Sequence, residues 1–224
     1  MAMEPVHSKL ITTAARHVLR PIGLRQKGRS RTWLDDRGWW VCVVEFQPSS
    51  WSQGSYLNVG CMWLWSVKNY LSFDEGSRVE AFSKFLDHAQ FEVQATRLAN
   101  RAAEEVRRYR LQFPNIDSVS EFYVGRPSMG PGHWQNFHAG VACGISGKPN
   151  EAVRFFDQFL ALTGDRPEWL VTAQADAERL KALSADTIQF HTVIANRVRQ
   201  TRELQKLPCV TTFNFDDAGI PAGD

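Results

Sequence analysis

Residues 38–65, GWWVCVVEFQPSSWSQGSYLNVGCMWLW, decide the fold of this chain. The stretch contains five of the eight tryptophans, namely Trp39, Trp40, Trp51, Trp63 and Trp65. From Trp39 to Gln47 it is apolar on both alternating faces as far as Glu45, which is typical of a central strand covered on both sides. A polar loop over 48–54 and a second apolar strand over 55–65 complete the predicted pair.

The residues before this pair predict a helix and one more strand. Residues 7–20 repeat apolar side chains at helical spacing, and Pro21 cannot continue the helix. A basic segment follows, in which cations alternate with other residues, as expected of a strand with one solvated face. Its cations are Arg25, Lys27, Arg29 and Arg31. Residues 35–38, Asp-Asp-Arg-Gly, then predict a hairpin turn.

The residues after the pair predict a loop, a strand and a long helix. Residues 66–77 read as a loop and residues 78–85 as a fourth strand. Over 88–113, apolar residues recur at spacings of three and four while the other face is charged, which predicts an amphipathic helix. The sequence therefore predicts an α+β fold, with an antiparallel sheet of three to four strands, flanking helices and a helical C-terminal region.

Glycine and proline residues between 115 and 132 predict a linker. This linker separates an α+β domain, residues 1–114, from a helical region, residues 133–206. Helices are expected in that second region at 132–146, 149–163, 166–183 and 185–205. The tail, residues 207–224, is predicted to be disordered, with an edge strand at 210–215 as the alternative.

Composition limits the function classes. With 26 Lys and Arg against 24 Asp and Glu, the net charge is +2, which argues against nucleic acid as a partner. No apolar run reaches the ~20 residues of a membrane span, so no membrane partner is expected. The four cysteines are widely spaced, which predicts a reduced, cytoplasmic setting without zinc. No cofactor is expected, and the oligomeric state is left open.

Three segments resemble a known family. LRPIGLRQKGRSRTW, VCVVEFQPSSWS and YLNVG are similar to segments of the bacterial family called domain of unknown function 4304. The matching positions are Gly23, Lys27, Gly28, Phe46, Gln47, Ser49, Ser50, Trp51, Asn58 and Gly60. Leu24 and Pro48 depart from the residues most common in that family. The resemblance covers residues 8–113 and implies an α+β domain, with no known activity and no catalytic residues.

A second resemblance concerns the helical region. Gly140, Gly147, Ala152 and Phe156 match the small and aromatic positions of a single tetratricopeptide helix pair at 134–160. Such positions allow two antiparallel helices to pack closely. One pair is a helical hairpin and does not form an array, because about three repeats are needed to bury a continuous core.

The loop after the first apolar strand is the predicted binding site. Glu45, Gln47, Ser49, Ser50 and Trp51 bring polar groups and one aromatic ring together on a loop held by a sheet, which is typical of recognition sites. The alternative is a structural hairpin loop, in which the serines cap backbone groups and the tryptophan covers the edge of the core.

Catalytic and metal motifs are absent from the sequence. It contains no GxSxG, no HExxH and no glycine-rich phosphate loop. His133 and His138 are five residues apart, a spacing that does not place both rings on one helical face for a metal. Both histidines are therefore predicted to be structural, and His133 enters only the alternative enzyme hypothesis given below.

Three functional hypotheses follow. The first is a non-catalytic protein-interaction or regulatory module that uses the sheet, the 49–51 loop and the helical hairpins. The second is an enzyme with a pocket between sheet and helices, in which Glu45 acts as the base beside Ser49, Ser50 or His133. The third is nucleic-acid binding through the basic N-terminal segment and Trp33, although Asp35, Asp36, Glu104 and Glu105 offset its charge.

Overall fold

The computed structural model describes residues 5–127, 130–164, 167–210 and 213–217. The chain divides into two compact units. Unit 1 consists of Met1–Met62 and Tyr70–Leu111, and unit 2 of Trp63–Asn69 and Gln112–Asp224. Unit 1 is α+β and unit 2 is helical, as the sequence predicts for the two halves of the chain.

Unit 1 is built on a five-stranded antiparallel sheet in the order β1-β2-β3-β4-β5. Its helices are α1 (Val6–Leu19) and α2 (His88–Gln112), and a 3-10 turn (Arg20–Ile22) follows α1. The strands are β1 (Arg25–Gln26), β2 (Thr32–Asp36), β3 (Trp40–Gln47), β4 (Gly54–Trp63) and β5 (Glu75–Lys84). Trp63 and Gln112, the last residues of β4 and α2, are counted with unit 2.

The prediction of three to four strands is wrong because the basic segment is a hairpin and not a single strand. Gly28 adopts a positive φ of 58°, and the Ser30 amide donates to the Lys27 carbonyl at 3.1 Å. This turn folds β1 back on β2, with Arg25 opposite Leu34. A strand and a short hairpin both alternate their exposed side chains, so the pattern of cations does not distinguish them.

Strand β3 is the centre of the unit 1 core. Its first five residues, Trp40 to Val44, are buried, and so is Phe46. Trp39 and Trp33 are buried as well. Successive residues of a strand point to opposite faces, so this run of buried residues confirms that β3 is covered on both faces. Trp39 and Trp40 are therefore core residues.

Strand β5 lies at the edge of the sheet and carries two irregularities. Ser55 is opposite Ser83, Leu57 opposite Glu80, and Asn58 opposite Arg78, so β5 has extra residues on both sides of Glu80. As a result Arg78 contacts side chains of β3 and β4, whereas Glu80 forms an ion pair with Arg97 of α2 at 2.9 Å. Bulges of this kind redirect side chains on an edge strand.

A buried ion pair joins α2 to β2, near the edge of the sheet that is formed by β1. The Arg110 guanidinium donates to both oxygens of Asp35, from Nη2 at 2.7 Å and from Nε at 2.9 Å. Arg110 Nη2 also donates to the carbonyl of Ile22 at 2.6 Å. The Asp35 side chain is only 2% exposed, and its hydrogen bond raises the pKa of Arg110. One side chain therefore joins α2, β2 and the turn after α1.

Unit 2 is organised around a buried central helix. Its helices are α3 (Ile116–Val124), α4 (Trp134–Ile145), α5 (Pro149–Leu160), α6 (Glu168–Leu183) and α7 (Thr187–Gln205). Ten of the twelve residues of α4 are buried. A Cβ atom added to Gly140 would lie 2.7 Å from the Phe156 ring, and one added to Gly144 would lie 2.5 Å from the Phe190 ring. These two glycines let α5 and α7 approach the backbone of α4.

Part of the predicted linker, 115–132, is helical. Helix α3 begins after Asn115, whose side-chain oxygen accepts from the Ser118 amide at 2.9 Å. An asparagine N-cap of this kind satisfies one of the free amides at the start of a helix. The glycines and prolines that suggested a linker all lie after α3, between residues 125 and 132.

The C-terminal tail, residues 207–224, is not wholly disordered as predicted. The Ile116 amide donates to the Phe215 carbonyl at 2.9 Å, and the Phe215 ring is buried against His191. The alternative strand at 210–215 is absent from its described residues, 210 and 213–215. Residues 211–212 and 218–224 lie outside the described part of the chain.

A span of the lipid bilayer requires a long, continuously apolar helix, and none occurs among the described residues.

We expect Arg110→Met to lower the free energy of unfolding of unit 1 by about 3–5 kcal/mol, because it leaves the Asp35 carboxylate buried and unpaired. The matched control is Arg97→Met on the same helix, whose partner Glu80 is more exposed, with an expected loss of about 1 kcal/mol or less. Urea denaturation followed by tryptophan fluorescence measures both. Equal losses in the two variants would contradict this role of Arg110.

We expect Gly140→Ala to destabilise unit 2 by about 1–3 kcal/mol, because the added methyl group collides with Phe156. Helix propensity alone predicts the opposite sign, since alanine is favoured over glycine by about 1 kcal/mol within a helix. Gly125→Ala is the control, because a Cβ atom added there meets no aromatic ring, and its nearest neighbour would be a backbone oxygen at 3.3 Å. Thermal denaturation distinguishes the signs, and a stabilised Gly140→Ala protein would show that α4 and α5 are not closely packed.

Candidate functional site

The predicted binding loop connects β3 and β4 and presents one fully exposed aromatic ring. Trp51 is 94% exposed, although its backbone is held, because its amide donates to Ser49 Oγ at 3.1 Å. The serine thus caps the loop, as the structural alternative expects. The same alternative also expects the tryptophan to cover the edge of the core, and this part of it is wrong because the ring is exposed.

Two of the predicted residues belong to a polar cluster on the sheet beside this loop. The Asn58 amide nitrogen donates to Glu45 Oε2 at 2.8 Å and to Gln47 Oε1 at 2.9 Å. Arg78 Nη2 donates to the same Gln47 oxygen at 3.1 Å. Glu45 and Gln47 are two residues apart on β3, so they share a face, and Asn58 reaches both from β4.

Aromatic rings extend this cluster. The Arg78 guanidinium lies 4.0 Å from the centre of the Tyr56 ring, in cation–π geometry. The Tyr56 ring packs against Phe82 with the two centres 5.0 Å apart. We call these side chains, which are half-buried or exposed, the sheet patch. It consists of Glu45, Gln47, Tyr56, Asn58, Arg78 and Phe82.

The sequence hypothesis for the site included Glu45 and Gln47 but not the other four members of the sheet patch. Alternation along β4 indicates that Tyr56 and Asn58 share one face. That signal does not reveal which residues of β3 and β5 lie opposite them. Ser50 is exposed in the loop.

The arrangement predicted for an enzyme is not assembled in unit 1. Glu45 Oε2 accepts from Asn58, while Ser49 Oγ accepts from the backbone of its own loop. Among the described residues of unit 1, no hydrogen bond joins Glu45 to Ser49 or Ser50. His133 belongs to unit 2, where it is exposed at the start of α4.

One nucleophile cluster was missed by the sequence analysis. Lys148 Nζ donates to Ser120 Oγ at 3.1 Å, and Ser120 Oγ lies 3.6 Å from Cys143 Sγ. Burial raises the pKa of the Cys143 thiol, and Ser120 has no exposed surface. A thiol with a raised pKa is a poor nucleophile. We therefore interpret the cluster as a structural contact that joins α3, α4 and the start of α5.

Two further buried groups, the Cys61 thiol and the His138 ring, contact neighbouring side chains. Burial, together with the neighbouring Cys42, raises the pKa of the Cys61 thiol well above its ordinary value. His138 Nδ1 accepts from the indole nitrogen of Trp65 at 3.1 Å. No cluster of three or more potential metal ligands occurs among the residues that the structure describes.

Comparisons with known proteins leave the geometry as the sole basis for assigning a function. No family model matches the chain, no curated protein matches it, and no solved structure matches it. The resemblances to the domain of unknown function 4304 family and to a tetratricopeptide helix pair therefore stay predictions.

We expect Asn58→Asp to destabilise unit 1 by about 1–3 kcal/mol at pH 7, because a carboxylate replaces the amide that donates to Glu45 and Gln47. Asn100→Asp, on the exposed face of α2, is the control. Urea denaturation tests this, and equal losses in the two variants would contradict the donor role of Asn58.

Proposed function

We propose that the chain is a non-catalytic protein-interaction module, and that unit 1 binds a partner protein through Trp51 and the sheet patch. The observation that carries the proposal is the 94% exposure of Trp51 on a loop whose backbone is capped. Exposing an indole ring to water is unfavourable, and tryptophan is among the residues that contribute most binding energy at protein interfaces.

The sheet patch supports this proposal by its composition. It contains tyrosine, phenylalanine and arginine, which are side-chain types enriched in protein interfaces. Asn58 bridges Glu45 and Gln47, so a partner can cover these three side chains without breaking the hydrogen bonds between them. The loop leaves β3 directly after Gln47 and enters β4 at Gly54, so chain connectivity keeps Trp51 next to this patch.

A binding role fits the geometry better than the enzyme hypothesis does. A general base must lie within hydrogen-bond reach of the proton that it removes. Glu45 accepts a hydrogen bond from the Asn58 amide, and Ser49 Oγ accepts one from the backbone of its own loop. The bacterial, cytoplasmic setting of the proposed partner rests on the resemblance and the composition described above.

Unit 2 has an exposed aromatic pair of its own. The rings of Trp134 and Trp169 stack with their centres 6.2 Å apart, and both are partly exposed. The test of the proposal therefore includes Trp169, since a partner that uses the helical hairpins would contact this pair.

We expect Trp51→Ala to reduce partner binding at least tenfold without lowering the thermal midpoint, because the ring makes few contacts within unit 1. The matched control is Tyr70→Ala, which removes another exposed aromatic ring from the same unit. A photo-crosslinking amino acid at position 51, and separately at position 70, would identify the partner in the native host. Binding of that partner to each purified variant is then measured by titration calorimetry.

Two outcomes would overturn the proposed surface. Equal crosslinking from positions 51 and 70 would show that Trp51 contacts no specific partner. Loss of binding in Trp169→Ala, with Trp51→Ala unchanged, would assign the interaction to unit 2.

A further inference from the structure

The start of the chain has an unusual distribution of charge. Residues 5–34 contain seven lysines and arginines and no aspartate or glutamate. Because the whole chain has a net charge of +2, the remaining residues carry a net charge of −5. The near balance of the total therefore hides a strongly basic segment, and such charge asymmetry is typical of proteins that bind polyanions.

Helix α1 arranges three of these cations along one exposed side. Lys9, Arg16 and Arg20 are spaced by seven and four residues, which corresponds to one face of a helix. Arg20 begins the 3-10 turn and keeps helical backbone angles, so it extends this row. The row is about 16 Å long at 1.5 Å per residue. All three side chains are exposed, and the opposite side of α1 is buried in the core.

The short hairpin after α1 adds two more exposed cations. Arg25 lies on β1, which forms an edge of the sheet, and Arg29 lies in the turn between β1 and β2. We call the five exposed cations the basic face. It consists of Lys9, Arg16, Arg20, Arg25 and Arg29. None of the five forms an ion pair within the described residues, whereas arginines of α2 do.

The acidic residues that could neutralise the basic face have other partners. Asp35 is held by Arg110. Glu105 accepts from both Arg101 and Arg108 at 2.7 Å, and Arg101 also pairs with Glu104. The sequence hypothesis discounted the basic segment because of these carboxylates. The structure shows that Asp35, Glu104 and Glu105 pair with arginines of α2, and that Asp36 accepts from the Gly38 amide at 3.1 Å. These contacts strengthen the case for the segment.

The surroundings of the cations distinguish between polyanions. Single-stranded nucleic acid is bound by stacking its bases on aromatic rings, but Trp33, the aromatic residue of this segment, is completely buried. A helix that lies on a membrane inserts its apolar face, but the apolar row of α1, Ile11, Ala15 and Leu19, is in the protein core. Contacts between cations and phosphate groups of a duplex require neither feature.

We propose that the basic face binds the phosphate backbone of a nucleic-acid duplex, without reading its sequence. This binding is a further activity, separate from the proposed protein interaction, because it uses α1 and the β1–β2 hairpin in place of Trp51 and the sheet patch. Three to five phosphate contacts give a slope of log affinity against log salt of about −2.7 to −4.5. Affinity then falls about 40- to 500-fold between 50 and 200 mM salt.

The test measures fluorescence anisotropy of labelled 20-base-pair DNA and RNA duplexes of unrelated sequences, titrated with the full chain at several salt concentrations. Arg16→Glu with Arg20→Glu should abolish binding at 50 mM salt. The matched control is Arg107→Glu with Arg179→Glu, which changes the net charge equally at exposed positions outside the basic face. For this control, the slope of log affinity against log salt should equal that of the unaltered protein.

A milder variant guards against loss of folding. Arg16→Gln with Arg20→Gln removes both charges without adding repulsion, and it should make the slope less steep by about 1.8. Circular dichroism and the thermal midpoint establish that each variant is folded. Trp51→Ala should bind the duplex like the unaltered protein, so failure of the protein-interaction proposal does not affect this one.

Four results would overturn the proposal. They are no duplex binding at 50 mM salt, equal loss of binding in the Arg107/Arg179 control, equal affinity for a single strand of the same length, and tighter binding to phosphatidylserine vesicles than to duplex. The last result would assign the basic face to a membrane surface. A fifth result, affinity that varies more than tenfold among the unrelated sequences, would contradict binding through the backbone alone.

Discussion

A carboxylate enclosed by protein must have a partner, and in unit 1 this constraint acts on Asp35. Its two oxygens take both donors of one guanidinium edge, so Arg110 can sit at only one position along the sheet. That position sets the register of α2 against β2. Since the same guanidinium donates to the carbonyl of Ile22, it also holds the turn between α1 and β1. The surface presented by the start of the chain thus depends on one buried ion pair.

Much of the fold could be predicted because its main elements carry a periodic pattern of their own. The apolar run of β3 and the three-and-four spacing of α2 are properties of neighbouring residues. The elements that were missed depend on single residues or on distant ones. A positive φ at Gly28 turns one apparent strand into a hairpin, and Phe215 is ordered by a hydrogen bond to Ile116, about a hundred residues earlier.

The candidate site shows the same division. Glu45 and Gln47 stand out in the sequence as polar residues at the end of an apolar strand. Asn58 and Arg78 join them only through strand pairing, and the register of β5 is shifted by bulges that no local pattern reveals. The charge of the N-terminal segment was visible from the start. The extent to which carboxylates offset that charge was not visible, because a sum over the sequence does not show which carboxylates already have partners.

The irregular backbone of β5 has one more consequence. An edge strand of ten residues offers a row of amide and carbonyl groups to which another strand could add, and regular edges of this length promote aggregation. The extra residues on either side of Glu80 break the even spacing of those groups, so an incoming strand cannot form a continuous ladder. The bulges that direct Arg78 toward the sheet patch also protect the chain from joining copies of itself edge to edge. The two irregularities in β5 thereby both shape the sheet patch and oppose the addition of another strand.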